Sequence, residues 1–227
     1  MGINTVLNVQ NIEKHYGKPP NELSVLNKLS LKVKRGEKIA IMGASGSGKT
    51  TLLNLLGGLD DPEYGSISVC EKNWSKLSIS ERAIWRNQHV GFVYQFHHLL
   101  EEFSALENVA LPLLIAGQSM ISAKETSAKF LTSIGLEGRL GHRPSQLSGG
   151  ERQRIAVIRG LINKPSVLLL DEPTGNLDSD SAKKTLDLIL QLSKTLSMAI
   201  VLVTHDTFVA KNMDVTYRLI DGRLEEK

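Results

Sequence analysis

One cysteine, Cys70, stands in the 227 residues, so the chain closes no internal disulfide and suits a reducing compartment. Long apolar runs are missing. The longest, at 167–170 and 199–203, are strand-sized, far short of the roughly 20 residues that span a bilayer. No basic segment followed by an apolar core opens the chain, which predicts that it is not exported. Strong charge of either sign is absent. A formal net charge of +3 is compatible with an anionic ligand or a membrane surface and does not point to DNA. There is no internal repeat and no low-complexity linker. What remains is an ordinary composition, 41% hydrophobic and 22% charged, which argues against disorder. The length fits one domain with a full core and room for a small attached lobe.

Short alternating stretches at 6–9 and 29–33 read as strands. A turn around Gly36 leads into a buried strand over 38–42, and that strand runs into a glycine-rich loop. A helix is expected from about Lys49 to Gly57 or Gly58, then a strand over 65–69. Capping-box spacing occurs at Ser78 and Glu81, at Ser104 and Glu107, and at Ser122 and Glu125. Pro112 should kink or shorten the second of these helices. The pattern predicts a helical lobe over about 97–150. Strand patterning returns at 167–170 and 199–203, with a helix candidate over 181–193 whose apolar side carries Leu186, Ile189 and Leu190. Alternating strands and helices around a glycine loop make an α/β core the expected class.

The glycine loop reads GASGSGKT from Gly43 to Thr50. Gly43, Gly46 and Gly48 leave room for backbone N–H groups to surround phosphate oxygens, and the following helix start adds favourable dipole charge. Ala44, Ser45 and Ser47 complete the loop, and Thr51 follows it. Lys49 should reach the β- and γ-phosphates, and the Thr50 hydroxyl should bind Mg²⁺. Tyr16, ahead of the loop, could stack on a purine or could be a half-buried core tyrosine.

The strand at 167–170 runs directly into Asp171 and Glu172. A buried strand ending in a carboxylate fits an Mg²⁺-holding Asp171. A second carboxylate beside it fits a general base, Glu172, that polarises water. His205 follows the strand at 199–203, where sheet topology could bring it beside the γ-phosphate; a local structural role is the other reading. LSGGE at 147–151 contains one more capping box, Ser148 with Glu151. Gly149 and Gly150 expose N–H groups at that helix start, which makes a second anion site. One nucleotide does not need two such sites from one chain, and an ordinary capped helix is the other reading of this segment.

Together these motifs resemble the nucleotide-binding subunits of the ATP-binding cassette superfamily, from residue 16 to residue 222 and in the family's order. The resemblance implies a P-loop core of that type with an antiparallel β edge and a helical lobe at about 97–150, the whole of 1–227 forming one cassette domain. It implies an adenine-stacking role for Tyr16 and an ATP phosphate site at Gly43–Thr50. It makes Gln95 a sensor of Mg²⁺ and of the membrane partner. It makes Asp171 an Mg²⁺ holder, Glu172 the catalytic carboxylate and His205 the switch histidine. Residues 175–178 match the loop at the dimer seam, and Ser148, Gly149 and Gly150 face the other copy's nucleotide.

The segment at 90–112, with GFVYQFHHLLEEFSALENVALP, resembles the ATP-binding proteins of lipoprotein-releasing systems. The resemblance implies a homodimer of ATPase subunits, peripheral on the cytoplasmic face of a bacterial inner membrane. It would serve two inner-membrane transporter subunits that hand lipoproteins to a periplasmic carrier, with no nucleic acid as partner. His97, His98, Leu99 and Leu100 match the stretch that contacts those subunits. Two departures stand out: Ile158-Arg159-Gly160-Leu161 replaces the usual Ala-Arg-Ala-Leu, and Glu101 stands where Pro is frequent. Gly160 should weaken its helix by up to about 1 kcal/mol. Alternatives with the same fold are an efflux or division-associated cassette ATPase. A DNA repair or chromosome-organising ATPase belongs to another class, and the segment between Lys49 and Ser148 lacks the heptads and basic stripe it would carry.

Overall fold

A computed structural model describes residues 4–17 and 23–226. The chain opens with two long antiparallel strands, β1 (Thr5–Tyr16) and β2 (Leu23–Lys34), and then enters β3 (Lys38–Met42). Helix α1 (Lys49–Leu56) follows the glycine loop. Next come β4 (Tyr64–Val69), β5 (Lys72–Asn73), α2 (Ile79–His89) and β6 (Val90–Val93). Helices α3 (Ala105–Ile115), α4 (Met120–Ser133) and α5 (Gly149–Leu161) occupy the middle. The chain returns through β7 (Val167–Asp171), α6 (Ser179–Leu196), β8 (Ala199–Thr204), α7 (Thr207–Ala210), β9 (Val215–Ile220) and β10 (Arg223–Glu226).

Two sheets form. One is antiparallel with order β2-β1-β4-β5, and the other runs β10-β9-β3-β8-β7-β6. In the second, β3, β8, β9, β7 and β6 pair in parallel and β10 closes the edge antiparallel to β9. The apolar runs of β7 and β8 are buried throughout β8 and over the first four residues of β7. That is what a sheet covered on both faces requires. The core between the sheets includes Ile39, Ile41, Leu52, Leu55, Ile67 and Val201, and a second core under α5 and α6 includes Val157, Leu168, Leu186 and Ile189. Leu190 is only partly buried. A third cluster belongs to the helical region, with Val109, Leu113, Leu131 and Ile155. The α/β core, the antiparallel sheet and the helical region agree with the architecture expected from sequence.

Local expectations fare unevenly. The capping boxes at Ser78, Ser104 and Ser148 form. The one expected at Ser122 does not: α4 starts at Met120, and the Ser119 hydroxyl accepts from the Ser122 N–H at 3.3 Å. Ser122 is thus the third residue of the helix and a donor, not its cap. Pro112 lies inside α3, which ends three residues later at Ile115. The two long strands extend well beyond their alternating parts, and register shifts in the β1–β2 pairing near Ile12 and Lys14 interrupt the period-two pattern. Periodicity identifies neither β6, β9 nor β10.

Candidate active site

The loop from Gly43 to Gly48 connects β3 to α1. Gly46 and Gly48 adopt φ of 78° and 97°, a region costly for residues with a Cβ. A Cβ on Gly48 would also stand 2.6 Å from the Val25 side chain. No side chain caps α1, so its first N–H groups are open to an anion. Lys49 Nζ donates to the Gly43 and Ala44 carbonyls at 2.9 and 2.8 Å, which places the ammonium over the loop.

Asp171 ends β7 opposite that helix start. The Thr50 hydroxyl donates to its Oδ2 at 2.9 Å. Burial pushes the Asp171 carboxyl up, and the Glu172 charge adds to this, while Thr50 and Lys49 pull the other way. Glu172 turns out of the sheet with φ 44°. Its Oε2 accepts from the Thr204 hydroxyl at 2.8 Å. Its Oε1 accepts from the His205 N–H at 2.9 Å and lies 2.7 Å from His205 Nδ1. Parallel pairing of β7 with β8 produces this cluster, since Asp171 registers with Val203 and the next residues of both strands emerge together. The carboxylate side chain is 12% exposed and the histidine 72%, so the acid is shielded while the imidazole faces out.

A cavity of about 1120 Å³ gathers Tyr16, Ser45, Gly46, Gly48, Lys49, Thr50, Thr51, Gln95, Asp171, Glu172 and His205. Gly43, Ala44 and Ser47 line an adjoining cavity of about 610 Å³. Gln95 Nε2 donates to Asn176 Oδ1 at 3.1 Å, which ties the end of β6 to the turn after Glu172. Ser148, Gly149 and Gly150 line neither cavity. They start α5, where Ser148 Oγ accepts from Glu151 N–H at 3.2 Å and Glu151 accepts from Ser148 N–H at 2.8 Å. Arg139 donates to Glu151 at 2.7 Å. That hydrogen bond is the main reason the Glu151 carboxyl falls to about 2, aided by Ser148 and opposed by burial.

The family model described as "ABC transporter" matches residues 26–175. The chain belongs to the ABC transporter family. Among its ABC relatives is the "Lipoprotein-releasing system ATP-binding protein LolD" of Saccharophagus degradans, 49% identical over 222 residues, 98% of this chain and 97% of the relative. The protein of that name from Pseudomonas syringae pv. tomato is 49% identical over 226 residues and the full length of both. The ABC fold is shared with the solved cassette MJ0796, at TM-score 0.89 and 35% identity over 97% of each chain. That protein was solved as a dimer, in one case in a post-hydrolysis state bound to ADP and Pi.

Several residues of this ABC site carry no expectation from sequence. Thr204 donates to Glu172, and Tyr94 and Asn54 help line the larger cavity, which His98, expected in the stretch facing membrane subunits, also lines. Thr204 lies 32 positions from Glu172, and strand register alone brings them together. His97 and His98 both take positive φ, 61° and 47°. Arg159, on α5, donates to their two carbonyls at 2.7 and 2.6 Å.

Proposed function

We propose that this chain is the ATP-hydrolysing subunit of a machine that releases lipoproteins from a bacterial inner membrane to a periplasmic carrier. The observation that carries the chemistry is the Glu172 cluster, set in one cavity with Lys49, Thr50 and Asp171. ATP phosphates would lie on the N–H groups of Gly43–Gly48 and Lys49, with Thr51 at the helix start and the base toward Tyr16. The oxygens of Thr50, Asp171 and Gln95 form a hard donor set that fits Mg²⁺, and the raised Asp171 carboxyl beside Glu172 is where a cation relieves repulsion. When bound, Mg²⁺ supplies charge neutralisation at the β- and γ-phosphates.

The residues of this chain do the rest. Glu172 accepts the proton of the attacking water as its oxygen forms a bond to the γ-phosphorus and the bond to the β-phosphate oxygen breaks. Thr204 and the His205 N–H fix the carboxylate, and the outward imidazole of His205 donates toward the γ-phosphate. Ser148, Gly149 and Gly150 of a second copy close over the nucleotide, so two copies are needed for two complete sites. We read 1–227 as one cassette domain with a lobe inserted at about 97–150. No helix among the described residues is long and apolar enough to cross a membrane. In this reading inner-membrane partners hold the chain at the cytoplasmic face, and the relatives named above support that choice of machine.

The test is reconstitution of the full chain with lipoprotein-releasing membrane subunits and a lipidated substrate in vesicles. ATP-dependent transfer of substrate to a periplasmic carrier is expected. Stable assembly only with efflux or division partners would overturn the proposed task and leave the ATPase in place.

A further inference from the structure

Lys14 and Tyr16 lie two residues apart on β1, and although the pairing with β2 shifts register between Lys14 and His15, both side chains reach Asp60. The Lys14 side chain is only 12% exposed, low for a lysine, and three groups account for its position. Its Nζ donates to Asp60 Oδ1 and to the Asp61 carbonyl, each at 2.9 Å. It also stands over the Tyr16 ring, 5.3 Å from the centroid. Asp60, on the segment after α1, accepts from the Tyr16 hydroxyl at 3.4 Å through Oδ2, which also lies 2.8 Å from the Lys14 Nζ. Burial raises the Asp60 carboxyl, yet the bonds from Lys14 and from the Asp61 N–H outweigh it and hold the group below its ordinary value. One carboxylate therefore holds both the ammonium and the phenol, and the ammonium holds the ring.

Tyr16 lines the larger cavity together with Lys49 and Thr50, whereas Lys14 does not line it. The ring thus borders the cavity, while the cation 5.3 Å from its centroid stays outside the lining. We infer that Lys14 and Asp60 are positioning residues that set Tyr16 as a base-stacking surface, Lys14 closing one face of the ring and leaving the other to the nucleotide base. The inference rests on the reading of the cavity as an ATP site. A cation over one face draws on the ring quadrupole and restrains an otherwise half-exposed side chain. The benefit is a ring already oriented when the base arrives, which acts on binding and not on the chemical step.

The measurement compares ATP with inorganic tripolyphosphate, which has the phosphates and no base. In the full chain, Lys14→Gln and Asp60→Asn should each raise the ATP dissociation constant and KM by about three- to tenfold, the range expected for a cation–ring contact and its support. Both should leave kcat and the tripolyphosphate inhibition constant within twofold of wild type. Lys14→Arg, which keeps the cation, should restore ATP binding. Equal weakening of ATP and tripolyphosphate would overturn the inference, because the pair would then act on the fold of the phosphate loop. Unchanged ATP binding in both variants would overturn it too. Tyr16→Ala separates the two levels: if it leaves ATP affinity unchanged, the base does not stack there and the underlying reading of Tyr16 fails.

Discussion

At the scale of single residues, the site depends on how one carboxylate is held. Glu172 sits in left-handed backbone geometry, which costs a non-glycine residue roughly 1–2 kcal/mol. The bonds from Thr204 and His205 offset that cost and aim the acid. In Glu172→Gln the amide oxygen keeps the His205 N–H, and the new NH₂ meets a hydroxyl that can turn to accept. Shape is therefore retained while charge and basicity are lost. We expect kcat to fall by about 10²–10⁴-fold, the usual worth of a positioned base, with ATP affinity close to wild type. Phosphate release and nucleotide titration check this, and turnover within a few-fold of wild type would remove Glu172 from the role of base. Glu172 was legible in sequence because it adjoins Asp171 after an apolar strand. Thr204 was not, since a threonine at a strand end has many uses and only the β7–β8 register gives it this one. The same holds for the link between Tyr16 and Asp60, which are 44 positions apart.

At the scale of elements, the legible parts are those whose signal is local. The glycine loop and the capping boxes at Ser78, Ser104 and Ser148 depend on residues a few positions apart, and they form where the spacing puts them. Strand β6 escapes notice because it is four residues long and begins with Val90-Gly91, and its identity as a strand comes from pairing with β7. Gly160 looks like a weakness in α5 when judged by helix propensity alone. Packing gives it a purpose: a Cβ on Gly91 would stand 2.2 Å from the Gly160 carbonyl oxygen, and one on Gly160 would stand 2.8 Å from the Phe92 oxygen. Helix and strand touch backbone to backbone there. Gly91→Ala must force them apart and also meets Leu168 at 2.8 Å. It should destabilise the protein by about 1–3 kcal/mol, the range for overpacked cores. Urea unfolding reads this directly, and an unchanged midpoint with an unchanged slope would mean the contact is not tight.

At the scale of the whole molecule, the chain has a phosphate cavity with acid and cation but holds Ser148, Gly149 and Gly150 away from it. A second copy is the source that symmetry offers. The expected result is trans labelling. Combine a chain carrying Ser148→Cys and Lys49→Ala, which should hold no nucleotide of its own, with an otherwise unaltered partner loaded with a thiol-reactive ATP analogue. Position 148 should be labelled only when that partner is present; labelling of the same chain alone would sink the assignment. Helix α5 then has two ends with different attachments. Near Gly160 it is pinned on β6 by the backbone contact, and Arg159 grips the carbonyls of His97 and His98 just beyond Gln95. Its other end carries Ser148. At about 1.5 Å per residue the arm between them is roughly 18 Å long. Over an arm of that length, a tilt of about 10° about the glycine contact would carry Ser148 roughly 3 Å, a displacement as long as a hydrogen bond.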